Sequence, residues 1–202
     1  MTTELDPRLR SGPRGVRAWV NQSLHPVGCI GSPEGSGREA LEEIQVAEAW
    51  LREQGCSHAR GPIEGSTFFA YRANLGPTAR PPFLGEPTSS PEPFVRAGYE
   101  LVAHYASALA DNETQIENGR ADGASLARAG FRLVPIEAVG GFHKALVHFH
   151  RLTTSSFELA HSYSPATWDL FQALYSPLES RIDPRLVRLA LSPEGDVAGY
   201  CF

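Results

Sequence analysis

Cysteine and long apolar runs are scarce in this 202-residue chain. Its three cysteines, Cys29, Cys56 and Cys201, are odd in number and far apart, so they provide neither a disulfide framework nor the spacing of a metal site. No apolar run approaches the roughly 20 residues that a membrane-spanning helix needs. The N-terminal stretch MTTELDPRLR lacks the apolar core of a signal peptide. These absences favour reduced thiols in a cytoplasmic protein that has no membrane partner.

Basic residues are outnumbered by acidic ones. The chain has 18 Lys and Arg residues against 23 Asp and Glu residues, and its net charge is −5. Because nucleic-acid binding relies on a basic face, we expect no nucleic-acid partner. Apolar residues make up 42% of the chain, which is enough for the core of one large domain or two small ones.

Common catalytic signatures are also absent from the sequence. It contains no Gly-x-Ser-x-Gly elbow, no Walker loop and no dinucleotide fingerprint. His143 and His150 fall on one face of a predicted helix and His148 lies off that face, but no carboxylate joins them at i+4. We therefore expect surface or packing roles for these histidines and no metal site.

The first half of the chain combines predicted strands with one amphipathic helix. Ser36 and Glu39 form a Ser-x-x-Glu capping box, which predicts that a helix begins there. One face of this helix carries Leu41, Ile44, Ala47 and Leu51, and Gly55 ends it. Around the helix we expect a flexible segment at 1–15, strands at 16–24, 26–31 and 56–63, a loop at 64–93, a helical turn at 94–98 and a strand at 99–109.

The second half follows a polar stretch at residues 111–125, which predicts a linker. Next we expect a strand at 131–136 and a helix at 141–160. A second helix is predicted to start at Ser164 as the N-cap, with Pro165 at its first position. A hairpin of strands 186–191 and 197–202 follows. This order of strands and helices predicts an α/β (mixed α+β) fold.

The chain ends on an apolar strand, Gly199-Tyr200-Cys201-Phe202, without a polar tail. Chains seldom end this way unless the strand is docked in a sheet or some sequence has been lost after it. A free apolar edge invites association. We therefore expect either a homodimer through this strand or closure of the strand onto an earlier part of the chain.

Residues 131–202 resemble the front of a GNAT-type acyltransferase, in which a strand, two helices and further strands lead into the acyl-CoA pyrophosphate loop. Residues 27–31 and 38–54 resemble the strand before that loop and the helix behind it. A more specific resemblance, to bacterial proteins with a degenerate GNAT half ahead of a complete GNAT domain, is carried by residues 61–67, Tyr71-Arg72, 81–84 and 94–99.

This resemblance implies that the C-terminal half of the fold, at 16–110, precedes the N-terminal half, at 126–202. The expected architecture is a central, mixed, mostly antiparallel sheet flanked by helices. Either one chain closes this sheet by permutation, with strand 26–31 beside the terminal hairpin, or two chains exchange halves.

The resemblance also implies acetyl-CoA as cofactor, bound at Gly31, Ser36, Gly37 and Arg38, where a helix N-terminus presents free N–H groups. Carboxylates adjacent to this segment disfavour a pyrophosphate, so an ordinary capped helix is the alternative. For the substrate we expect Tyr71 and Arg72, because arginine offers a planar fork to an anionic or planar group; the alternative is simple packing and ion pairing.

The family's general acid is often a tyrosine four residues before a Gly-aromatic pair. Counting back from Gly98, that position holds Phe94, which cannot donate a proton, so the catalytic residues stay unassigned. The expected function is that of a GNAT-type N-acyltransferase, acting from acetyl-CoA on an unidentified small-molecule or peptide amine. Two alternatives remain open, a non-catalytic GNAT-like binding or scaffold protein and a truncated product of a longer acetyltransferase.

Overall fold

The computed structural model describes residues 8–76, 89–106 and 111–201. The chain divides into two compact units. The first comprises Met1–Tyr105 and Glu158–Ala166, and the second comprises Ala106–Phe157 and Thr167–Phe202. The resemblance at residues 81–84 lies outside the described residues.

The first unit is built on a four-stranded sheet. Its strands, in spatial order, are β1 (Leu9–Ser11), β2 (Ala18–Asn21), β3 (Val27–Ile30) and β4 (His58–Arg60). Neighbours from β1 to β3 are antiparallel, whereas β3 and β4 are parallel because helix α1 (Arg38–Glu53) connects them. The helix packs its buried face on the sheet through Ala40, Ile44, Ala47 and Leu51. A short helix, α2 (Glu92–Arg96), adds Phe94 to the same core.

Several details of the first unit differ from the sequence predictions. The segment expected to be flexible contains β1, which pairs with β2. The N-cap of α1 is Gly37 rather than Ser36, and no side chain caps that end. Residues 99–106 contain no strand, since an alternating pattern becomes a strand only where another strand pairs with it; residues 107–109 lie outside the described range.

The second unit contains a three-stranded antiparallel sheet. It consists of β5 (Arg132–Pro135), β6 (Arg188–Leu191) and β7 (Val197–Cys201), in that spatial order. Between β5 and β6 run α4 (Phe142–Phe157) and α5 (Trp168–Tyr175). The largest fully buried side chains here are Leu146, Phe149, Leu170, Val187 and Leu189. The predicted order of strand, two helices and hairpin is confirmed.

The starts of two helices in this part of the chain were not predicted correctly from the sequence. Helix α5 is capped by Thr167, whose side chain accepts a hydrogen bond from the Leu170 N–H, and not by Ser164. Residues 111–125, expected as a linker, form most of helix α3 (Asn112–Arg128). The Asp111 carboxylate caps α3 by accepting from the Thr114 N–H at 2.8 Å. None of its residues is buried, and this is why no apolar stripe marked α3 in the sequence.

The described residues therefore form a mixed α+β structure with five α-helices and two mostly antiparallel sheets. Among these residues the strands belong to two sheets and not to the expected single one, and β3 has β2 on one side and β4 on the other. In the described part of the chain β3 therefore does not pair with the terminal hairpin. Within the described residues β7 pairs with β6 alone, and the homodimer through β7 stays a prediction.

Candidate functional site

The segment between β3 and α1 is the loop that the sequence predicts as a cofactor site. It begins at Gly31, which is buried and donates its N–H to the Arg17 carbonyl at 2.9 Å. A Cβ atom at this position would lie 2.9 Å from the Trp19 ring, so the close approach of loop and β2 requires glycine here.

A carboxylate from α1 occupies two backbone donors of this loop. Glu43 accepts from the Glu34 N–H through Oε2 and from the Gly35 N–H through Oε1, both at 2.8 Å. Two neighbouring N–H groups thus hold two oxygens of one anion, which is how a loop of this kind holds phosphate. The loop has the geometry of an anion site, and the anion is part of the protein.

The Arg17 guanidinium, which contacts this loop at Glu34, is already bound by two acids. It donates to Glu34 at 2.8 Å and to Glu64 at 2.6 Å. Arg17 Nε is buried and has no hydrogen-bond partner among the described residues. Because two carboxylates balance this cation, it adds little attraction for a further anion.

The other predicted cofactor residues lie together at the start of α1. Ser36 is exposed, and its carbonyl accepts from the Glu39 N–H at 3.1 Å. Gly37 adopts φ = 57°, a conformation that favours glycine. Arg38 has a side chain that is 90% exposed and donates to Glu42 at 2.8 Å, so its charge is paired along the helix. The surrounding carboxylates oppose the binding of a polyanionic pyrophosphate.

The predicted substrate pair, Tyr71 and Arg72, forms a cluster with Tyr105. The two tyrosine rings meet edge to face, with centroids 5.2 Å apart. Arg72 Cζ lies 5.4 Å from the Tyr71 centroid and 5.8 Å from that of Tyr105, so both rings interact with the cation. Burial raises the pKa of the Tyr105 hydroxyl. The cluster would suit a planar or anionic group that reaches Arg72.

Phe94, at the position expected for a general acid, is a core residue. It is 3% exposed, and its ring meets that of Tyr99 edge to face at 5.2 Å. A Cβ atom at Gly61 would lie only 2.1 Å from Phe94 Cε1. The ring therefore fills its space completely and offers no proton.

The histidines of α4 have structural partners. His143 Nε2 lies 3.2 Å from a carboxylate oxygen of Glu179, and the His150 ring contacts the rings of Trp168 and Phe171 at 5.7 and 5.1 Å. In the described parts of the chain, no group of three or more His, Cys, Asp or Glu side chains is arranged to hold a metal ion.

A cleft that the sequence predictions missed lies at the C-terminal end of α1. It has a volume of about 360 Å³ and is bordered by α1, by β4 with the residues before it, and by residues 97–102. At its edge Tyr99 donates its hydroxyl to Glu48 at 3.1 Å, and Arg52 donates to the other oxygen of Glu48 at 3.0 Å. Burial, and then the neighbouring carboxylate of Glu48, raise the pKa of Tyr99. Only the i, i+4 spacing of Glu48 and Arg52 signalled any part of this cleft in the sequence.

Comparison with known proteins adds no relative. No protein-family model, no curated protein and no solved structure matches this chain. Among the described residues, none of the helices has the length and apolar character required to traverse a bilayer.

Proposed function

We propose that this chain is a non-catalytic GNAT-like protein, with the halves of that fold in reversed order, that acts by binding. The observation that carries the proposal is the Glu43 carboxylate on the Glu34 and Gly35 N–H groups. An acyl-CoA pyrophosphate would need these donors, and it would have to displace a carboxylate that is tethered next to them.

The position of Phe94 supports the same proposal. Acyl transfer from a thioester releases a thiolate, and a positioned acid accelerates that step by protonating it. The buried Phe94 ring has no proton to give. The side-chain carboxylates around the loop, including those of Glu34 and Glu64, further disfavour the binding of an anionic cofactor.

A second candidate is an acetyl-CoA-dependent N-acyltransferase acting on a small-molecule or peptide amine. One observation favours it: the loop demonstrably holds both oxygens of an anion. If Glu43 moved away, Gly31, Ser36, Gly37 and Arg38 would surround the pyrophosphate, and Tyr71 with Arg72 would face the substrate.

Thermal unfolding with millimolar acetyl-CoA separates the two candidates. A ligand at 100 times its Kd stabilises the folded state by about 2.7 kcal/mol. We expect no stabilisation of the wild type. Glu43→Ala exposes the two loop donors, and Glu53→Ala is its control, because it removes an exposed carboxylate at the other end of the same helix.

Stabilisation of the wild-type protein by acetyl-CoA would overturn the proposal of a non-catalytic protein, because it would show that Glu43 does not keep the cofactor out of the loop. Stabilisation of Glu43→Ala but not of Glu53→Ala would show that the loop is a cofactor site closed by the Glu43 side chain, as the second candidate requires. If neither variant responds, the second candidate is excluded.

A further inference from the structure

The cleft at the C-terminal end of α1 is distinct from the loop at the other end of the same helix. Helix α1 has 16 residues, so at about 1.5 Å per residue its ends are about 24 Å apart. The cleft volume of about 360 Å³ falls in the range of small-molecule sites, which is about 300–1,000 Å³. A ligand bound in the cleft therefore does not touch the loop that would hold acetyl-CoA.

One wall of the cleft presents a fixed positive group. Glu48 has a side chain that is 23% exposed, and both of its oxygens are occupied, one by the Tyr99 hydroxyl and one by Arg52. This pairing holds the Arg52 guanidinium at the cleft while its side chain stays 68% exposed. Within the described residues Arg52 donates to Glu48 alone, so further N–H groups remain available to a carboxylate.

A second segment that borders the cleft presents a negative group. Glu100 lies in residues 97–102, is exposed and has no hydrogen bond or ion pair with any described residue. Beside it Val102 is 65% exposed, and Ala97 and Leu51 also border the cleft. An apolar group that covered Val102 would remove hydrophobic surface from water, at about 25 cal/mol per Å².

The edge of β4 adds a peptide-like hydrogen-bonding pair. In a parallel ladder alternate residues direct both backbone groups to the partner strand. His58 directs its N–H to the Pro26 carbonyl at 3.4 Å, so the backbone N–H and C=O of the next residue, Ala59, lie on the opposite edge. Ala59 borders the cleft, where these groups would meet an amino or carboxyl group of a ligand.

We infer that this cleft binds a small zwitterion of the amino-acid class. Its carboxylate pairs with Arg52, its ammonium pairs with Glu100, and an apolar side chain covers Val102. A plain amine would leave the Arg52 donors unused, and a plain carboxylic acid would bring a negative charge to Glu100 without compensation.

The test is an amide NMR titration of the full chain with the standard amino acids. For the tightest of them, the decarboxylated amine and the deaminated acid follow as matched probes; for leucine these are 3-methylbutylamine and 4-methylpentanoate. We expect shifts concentrated at Ala59, Gly98 and Val102, and at least tenfold weaker binding of each probe that lacks one charge.

Variants then locate the site. We expect Arg52→Gln and Glu100→Gln each to weaken amino-acid binding at least tenfold. Arg96→Gln is the matched control, since Arg96 also pairs with a glutamate at i−4, Glu92 at 3.1 Å, but lies outside the cleft. Unchanged shifts elsewhere in the spectrum show that each variant is folded.

Three results would overturn the inference. The first is that no amino acid, at its highest soluble concentration, shifts the amide signals of the cleft. The second is that the amine or the acid binds as tightly as the zwitterion. The third is that Arg52→Gln and Glu100→Gln bind amino acids like the wild type. Each of these can occur whether or not acetyl-CoA binds to the loop, so failure here is distinguishable from failure of the proposed function.

Discussion

Replacing Ser66 by alanine tests whether residues 158–166 belong to the core of the first unit. Ser66 is 1% exposed, and its hydroxyl donates to the Ser164 carbonyl at 3.2 Å. The same oxygen accepts from the N–H groups of Ser164 at 3.2 Å and Phe68 at 3.1 Å. Ser164 is itself 2% exposed, so water cannot replace these contacts without opening the structure.

The size of the effect follows from the groups left without partners. Ser66→Ala leaves the Ser164 N–H and carbonyl buried and unpaired, and each such group costs about 1–3 kcal/mol. The Phe68 N–H is in a half-buried residue and regains part of its hydrogen bonding from water. We therefore expect the free energy of unfolding of the first unit to fall by about 2–4 kcal/mol, out of about 5–15 kcal/mol for a typical domain.

Urea unfolding followed by tryptophan fluorescence measures this change. Two of the three tryptophans, Trp19 and Trp50, lie in the first unit, and Trp168 lies in the second. In a Trp168→Phe background the signal therefore reports the first unit. Ser57→Ala is the control, because Ser57 lies in the same unit and its exposed hydroxyl contacts only the neighbouring His58 ring, at 2.9 Å. A loss for Ser66→Ala no larger than the control's, which we place within about 0.5 kcal/mol, would refute the reasoning.

Three further predictions concern Gly61 and Cys29 of the first unit. Gly61→Ala should lower the free energy of unfolding of this unit by about 1–3 kcal/mol, because the new methyl group collides with the Phe94 ring. Urea unfolding measures this change. Gly76→Ala is the control and should unfold like the wild type, because the space around its Cβ is open. Burial raises the pKa of Cys29 to about 12, so its thiol stays protonated at neutral pH. Alkylation of the folded protein should therefore label the exposed Cys201 before Cys29, as measured by peptide mass spectrometry. Equal labelling rates would contradict this. The folded state holds the Cys29 proton more tightly than the unfolded state does. The contribution of Cys29 to the free energy of unfolding should therefore be constant below pH 9 and should fall as the pH rises from 9.0 toward 12.

Elements with strong local patterns were predictable from the sequence. The apolar spacing at Leu41, Ile44, Ala47 and Leu51 predicted α1; the last three are buried, whereas Leu41 is half-buried and Ala40 takes its place in the core. The turn between two short apolar runs predicted the β6–β7 hairpin, which forms at Arg188–Leu191 and Val197–Cys201. These signals are local because the helix period and the hairpin turn involve residues close in the chain.

Helix α3 and the segment at 99–106 show the limits of local patterns. Helix α3 has no buried face, so its best sequence signal was the cap at Asp111 rather than periodicity. Residues 99–106 alternate as a strand does, yet they form no strand in the structure, since pairing depends on what lies beside them.

The sequence by itself determined the mixed class of the fold, the order of strand, two helices and hairpin after residue 130, and the position of the anion-type loop before α1. Only the tertiary structure decided what fills that loop. Glu43 reaches back to Glu34 and Gly35, and Arg17 is held by Glu64 from 47 positions further along the chain. The physical reason is that residue types and spacing indicate which groups can bind an anion, whereas the folded chain determines which of those groups already have a partner.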